Sequence, residues 1–158
     1  MRLKDLLEYK DIVIQCHDNP DADALASGFA VYKYLELNGV DAKFIYRGRN
    51  KITKSNLRIM VEKLAIPVSY EPDYDLVPEL LINVDCQHGQ RNVTDTNAKT
   101  IAVIDHHRIA GELPELNVVR SNIGSCATVI WNMMREEGLD PNDDPALATA
   151  LYYGLYTD

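Results

Sequence analysis

The chain has 158 residues, and 16 Lys and Arg against 24 Asp and Glu leave a net charge of −8 with histidines neutral. This length suits one domain with a real core, and 46% hydrophobic with 25% charged residues excludes a disordered chain. The acidic balance works against coating long duplex nucleic acid, which needs a basic face to displace counterions.

No apolar run reaches the ~18–20 residues of a membrane span, so no membrane partner is expected. The opening MRLKDLLEYKD is too charged for the apolar core of a signal peptide. Cys16, Cys86 and Cys126 are odd in number and widely spaced. They suit neither a disulfide framework nor a zinc knot, and the chain reads as cytoplasmic.

The elements alternate. Asp11–Cys16 (DIVIQC) is short, apolar and β-branched, as a buried parallel strand should be. From Pro20 to about Asn38, apolar residues recur at Leu25, Phe29, Tyr32 and Leu35, close to the helical period. Asn19 is the expected N-cap of that helix, Pro20 its first residue and Gly39 its end. Asp41–Tyr46 predicts a second strand, and Thr53–Leu64 a helix that stops before Pro67. A linker with Pro72 and Pro78 leads to the strand LLINVD, which ends at Asp85, and Thr100–Asp105 predicts another. Asn117–Val119 predicts a short strand, and helices are expected over Cys126–Glu137 and Pro145–Tyr156. The alternation predicts an α/β fold, a parallel Rossmann-like sheet flanked by helices on both faces.

The ionisable residues gather where strands end. DIVIQC runs into HDNPDAD, LLINV into Asp85, TIAVI into Asp105-His106-His107, and ALYYGLY is followed by Thr157-Asp158. Ligands of open α/β sheets bind outside the carboxyl ends of the strands. Taken singly, Asp21 and Asp23 suit a first helical turn, and His106-His107 suit a loop. Taken together, five carboxylates and three histidines on one rim would repel unless a cation sat among them. Carboxylates with a minority of imidazoles suit Mn²⁺ or Mg²⁺, and more than four candidate ligands suggest two ions. Two such ions ~3.5–4 Å apart are a recurring device for phosphoryl transfer.

Less specific features accompany them. Gly124–Thr128 predicts a helix N-terminus whose amides could meet an anion, with an ordinary cap preferred. The basic run Arg47–Arg58 reads first as a solvated face, and His88 as a loop residue.

HDNPDAD at 17–23, Asp85 after a strand and IDHH at 104–107 resemble the first three motifs of the DHH phosphoesterase superfamily, and GLYTD at 154–158 resembles the beginning of its fourth. The likeness is greatest to the bacterial branch of small-oligonucleotide exonucleases that also dephosphorylate pAp (the nanoRNase type). RecJ exonucleases, cyclic-di-AMP phosphodiesterases and family II inorganic pyrophosphatases are more distantly similar.

The resemblance implies two Mn²⁺ ions, with Mg²⁺ as an alternative. His17, Asp21 and Asp85 would hold one, and Asp23, Asp85, His106 and Asp158 the other, with Asp85 bridging. It places His107 against the scissile phosphate and Asp105 behind a histidine ring. Asn19 would order the first loop near the nucleophile, and Arg91 would touch substrate phosphate, the alternative being a surface salt bridge. The implied substrates are short single-stranded oligonucleotides and small nucleotides, hydrolysed at phosphodiester or phosphomonoester bonds. A homodimer is compatible with the resemblance. Proteins of this branch run to about twice this length and carry a GGGH-type motif in a second domain, a motif this sequence lacks. The expectation is that residues 1–158 are the N-terminal catalytic domain of a longer protein, weak or inactive alone.

Overall fold

A computed structural model describes all of residues 1–158. After a 3₁₀ turn at Leu3–Glu8 the chain forms β1 (Ile12–Gln15), α1 (Ala22–Leu37), β2 (Ala42–Tyr46), α2 (Ser55–Lys63) and β3 (Val68–Tyr70). There follow β4 (Leu80–Val84), β5 (Thr100–Asp105), β6 (Leu116–Val119), α3 (Cys126–Glu136), a 3₁₀ turn at Pro141–Asp143 and α4 (Pro145–Thr157). All five strand pairings are parallel, in the order β3-β2-β1-β4-β5-β6. The order reverses between β1 and β4, and such a switch point opens a crevice at the carboxyl ends of the strands. No helix is long and apolar enough to cross a membrane.

The α/β class, with a parallel sheet flanked by helices, is as the sequence predicts. The two faces are covered unequally. Ile12, Ile14, Phe44, Leu80, Ile82, Ala102 and Ile104 form one large core with the buried residues of all four helices. The alternate residues Val13, Ile45 and Leu81 form a small cluster with Tyr74 and Ala98, which come from connecting segments. The segment before β5 is stitched to this second face by side chains. Gln15 donates to Thr94 O at 2.7 Å, and Thr96 donates to Gln15 at 2.7 Å.

α1 is buried along most of its length, as befits a helix apolar all round. Its small residues let neighbours approach closely. A Cβ on Gly28 would collide with the Phe44 ring of β2, and one on Gly154 would stand 3.0 Å from Ala26 Cβ, where α4 crosses. Gly28→Ala should therefore destabilise the fold by about 1–3 kcal/mol, the usual cost of overpacking. Chemical denaturation measures this, and an unchanged midpoint would show that Phe44 has room to yield.

Two local expectations are corrected. Asn19 does not cap α1 and Pro20 is not its first residue. Asn19 has φ +51°, a left-handed turn that delays the helix, and Asp21 is the cap, its Oδ1 accepting from Ala24 N at 2.9 Å. The linker before β4 also contains a strand, β3, pairing Val68–Tyr70 with Phe44–Tyr46. At three residues it is too short to show an alternating pattern.

Candidate metal centre

The register explains why distant motifs meet. Gln15 pairs with Asn83, and Asn83 with Val103. His17, Asp85 and Asp105 each stand two residues beyond one of these, so three strands deliver them to one level of the crevice. Asp18 fixes the first loop from behind, its carboxylate accepting from Thr94 N at 3.1 Å and Thr94 Oγ1 at 2.7 Å. Asp85 has φ +58°, a left-handed conformation that Asp tolerates better than most residues and that turns the chain sharply after β4.

Asp85 is the centre of the cluster and almost wholly buried. Its Oδ2 lies 3.5 Å from His17 Nε2, and its Oδ1 lies 3.3 Å from His106 Nε2. On one side, His17 Nε2 is also 3.7 Å from Asp21 Oδ1. On the other, His106 Nε2 is 3.5 Å from Asp23 Oδ2 and 3.4 Å from Asp158 Oδ2. Each ring is aimed through its other nitrogen: His17 Nδ1 meets Asp18 O at 2.7 Å, and His106 Nδ1 meets Ile123 O at 3.2 Å. With Nδ1 so engaged, both Nε2 atoms turn toward the carboxylates, the usual orientation of metal-binding imidazoles.

Three groups of side chains could hold an ion: His17, Asp21 and Asp85; Asp23, His106 and Asp158; and Asp85, His106 and His107. The first contains the same residues as one of the sets the resemblance implies; the second lacks Asp85, whose Oδ1 lies 3.3 Å from His106 Nε2. Asp85 Oδ1 and His106 Nε2 are buried without a hydrogen bond, because their close approach is not aligned for one. Unpaired buried polar atoms are costly, and a divalent cation between them would satisfy both. The donor set therefore fits a hard divalent ion.

Asp23 has a further partner. Its carboxylate accepts from Cys126 N at 2.9 Å and Ala127 N at 2.8 Å, the first amides of α3. The helix start does meet an anion, supplied by the protein itself, while Ser125 caps in the ordinary way through Thr128 N. α4, packed closely on α1, brings Asp158 to His106.

His107 and Asp105 form a separate pair. Asp105 Oδ1 is 2.7 Å from His107 Nδ1, and the imidazole is about half exposed. Gln87, absent from the sequence-based set, donates to Asp105 Oδ2 at 2.9 Å and to Arg108 O at 3.0 Å, and accepts from Ala110 N. It locks Asp105 to the loop that follows His107. Its only sequence signal is its place two residues after Asp85. Asn19 is exposed on the rim beside Asp21. Arg91 is exposed between β4 and β5 with no ion pair or side-chain hydrogen bond, and the structure does not join it to the cluster. His88 pairs with Asp95 at 3.6 Å.

The cluster's electrostatics describe a metal-free centre that holds protons. Burial opposes charge on His17, but the neighbouring Asp21 and Asp85 carboxylates raise its pKa to about 10. The Asp85 carboxylate raises His106 to about 9. Burial and the Asp85 charge raise Asp23 to about 8, against the α3 amides. Asp85 is lowered: burial pushes it up, and His106 and His17 more than offset that.

All three raised groups bind protons more tightly in the folded than in the unfolded chain. The stability from the two histidines is complete below about pH 6.5 and lost as pH rises through 9–10, and Asp23 adds loss up to pH 8. With chelator present, the melting temperature should fall between pH 6 and pH 9. Divalent metal should reduce or reverse that fall, since deprotonated ligands bind it better. Equal slopes with and without metal would count against these ligands.

A Rossmann-ordered sheet with carboxylates and imidazoles at its switch point defines a class of metal-binding α/β domain. Residues 11–155 match the model of the DHH family, N-terminal domain, and the chain belongs to that family. It is 29% identical over 147 residues to an uncharacterized protein of Methanocaldococcus jannaschii, covering 93% of this chain and 30% of that one. It is 28% identical over 145 residues to a probable manganese-dependent inorganic pyrophosphatase of Staphylococcus carnosus, covering 90% and 46%. Among solved structures, an exopolyphosphatase-related protein from Bacteroides fragilis superposes with a TM-score of 0.77 at 16% identity, over 98% of this chain and 49% of that one. The likeness shows the shared fold. The chain spans less than half the length of the curated relatives it matches.

Proposed function

We propose that residues 1–158 form the metal-binding catalytic domain of a divalent-metal-dependent phosphoesterase. The observation that carries this reading is Asp85, which turns one carboxylate oxygen to His17 and the other to His106. His17, Asp21 and Asp85 would hold one ion, and Asp23, His106, Asp158 and Asp85 the other, Mn²⁺ being the first candidate. Two such ions supply a water-derived nucleophile and positive charge for the phosphoryl oxygens.

The chain's own residues do the rest. Asp105, itself held by Gln87, engages His107 Nδ1 and leaves Nε2 free to meet charge that develops on the phosphate. The α3 amides hold the Asp23 carboxylate, and the carbonyls of Asp18 and Ile123 aim the two histidines.

The proposed substrates are short oligonucleotides and nucleoside bisphosphates such as pAp, the reading supported by the sequence motifs. Inorganic pyrophosphate is the second reading, favoured by the similarity to the staphylococcal protein across 90% of the chain. Because the relatives are longer, the complete activity is proposed for a longer chain whose further residues position substrate.

The test supplies Mn²⁺ and, separately, pAp, a dinucleotide and pyrophosphate to this chain and to one extended to its relatives' length. The reading expects Mn²⁺ to raise the melting temperature of the 158-residue chain increasingly with concentration. It expects chelator-sensitive hydrolysis by the extended chain. No Mn²⁺ binding at millimolar concentration, with no hydrolysis by either, would defeat it.

A further inference from the structure

Five of the 16 basic residues fall within Arg47–Arg58, a run with no Asp or Glu in a chain of net charge −8. Arg47 is spent on the fold: its guanidinium donates to Asp95 O, Thr96 Oγ1 and Pro72 O. Lys51 and Lys54 differ, being exposed and making no ion pair or side-chain hydrogen bond. The loop that carries them is nonetheless firmly held. Tyr46 Oη accepts from Ile52 N at 3.0 Å, Tyr70 Oη donates to Gly48 O at 2.7 Å, and the two rings lie 5.1 Å apart. At Gly48, with φ +95°, a Cβ would sit 2.8 Å from Asp18, so the basic loop abuts the loop that presents His17 and Asp21.

Between the two loops lies a concavity of 300 Å³ lined by Asn19, Asp21, Asn50, Lys51 and Lys54 over an apolar base at Leu57. That volume is at the lower limit of small-ligand sites, ~300–1,000 Å³. Lys51 and Lys54 line this hollow together with Asp21, yet neither forms an ion pair with it. Cationic side chains held open beside an acidic cluster complement an anion that reaches from one to the other.

We propose that this concavity receives the phosphate next to the scissile one, held by Lys51 and Lys54 with Asn50 and Asn19 as hydrogen-bonding partners. This rests on the phosphoesterase reading and refines it. The site then favours substrates with at least one phosphate beyond the one attacked over simple monoesters. A short oligonucleotide or nucleoside bisphosphate and an inorganic polyphosphate share that chemistry.

The test measures anisotropy of a fluorescein-labelled trinucleotide with the Mn²⁺-loaded protein. Inorganic tripolyphosphate and inorganic phosphate serve as competitors, and Mn²⁺ affinity is measured by calorimetry. In the Lys51→Ala/Lys54→Ala variant, trinucleotide affinity should fall roughly tenfold, about 1.4 kcal/mol, with Mn²⁺ affinity unchanged. Inorganic phosphate, which needs only the metal centre, should compete as before. Lys51→Arg/Lys54→Arg should restore most of the affinity, and the control Lys4→Ala/Lys99→Ala should lose little. Loss of tripolyphosphate competition in parallel assigns the subsite to phosphate chains generally, and retained competition assigns it to nucleotides. Undiminished trinucleotide affinity with Mn²⁺ bound, or an equal loss in the control, overturns the subsite and leaves the metal centre standing. Failure of the wild type to bind Mn²⁺ overturns both.

Discussion

Asp85→Asn should abolish the metal centre while sparing the fold. Asparagine has the same shape and tolerates the φ of +58° that this position requires. It cannot offer two anionic oxygens, one toward His17 and one toward His106. Loss of an outer partner of a metal ligand already costs about 10–100-fold in affinity or activity, so losing a ligand shared by two ions should cost at least ~10²-fold in both. Asp23→Asn should do less harm, because His17, Asp21 and Asp85 remain intact. Calorimetric titration with Mn²⁺ and hydrolysis at saturating metal compare the two variants. Equally mild losses would show that Asp85 does not bridge.

His107→Ala should act on turnover and leave metal binding alone. Its Nδ1 is engaged by Asp105 at 2.7 Å and stands 3.9 Å from Asp85 Oδ1, farther than any other histidine–carboxylate approach in the cluster. Removing one preorganised group that meets developing charge costs about 10²–10³-fold in turnover. That loss is expected in the active protein, with Mn²⁺ affinity unchanged by calorimetry. His107 also belongs to one of the three possible ion-binding groups. A collapse of metal affinity would therefore move it from substrate to metal and reverse its role with His106.

The sequence was legible where the chemistry repeats a physical rule. Buried parallel strands are continuous apolar runs, so β1, β4 and β5 were readable, and with them the positions of His17, Asp85 and Asp105–His107. What a run cannot show is register. Only the pairing of Gln15 with Asn83, and of Asn83 with Val103, sets these motifs at one level.

Contacts made at long range were hidden for the same reason. Asp23 reaches the α3 amides 103 and 104 residues away, and nothing local to either segment announces it. Gln87 is a neutral side chain whose importance lies in joining Asp105 to the loop at Arg108 and Ala110. The start of α1 departs from the sequence expectation because Asn-Pro preceding an acidic turn satisfies the usual capping pattern. The left-handed Asn19 instead passes that task to Asp21, which then both caps the helix and faces His17.

Anomalous diffraction from Mn²⁺-soaked crystals of the chain tests the central claim most directly. The account predicts two manganese peaks about 3.5–4 Å apart. One should lie among His17, Asp21 and Asp85, and the other among Asp23, His106 and Asp158, with the Asp85 carboxylate between them. A crystal that binds no manganese in this crevice, or binds it without Asp85 as a ligand, would contradict it.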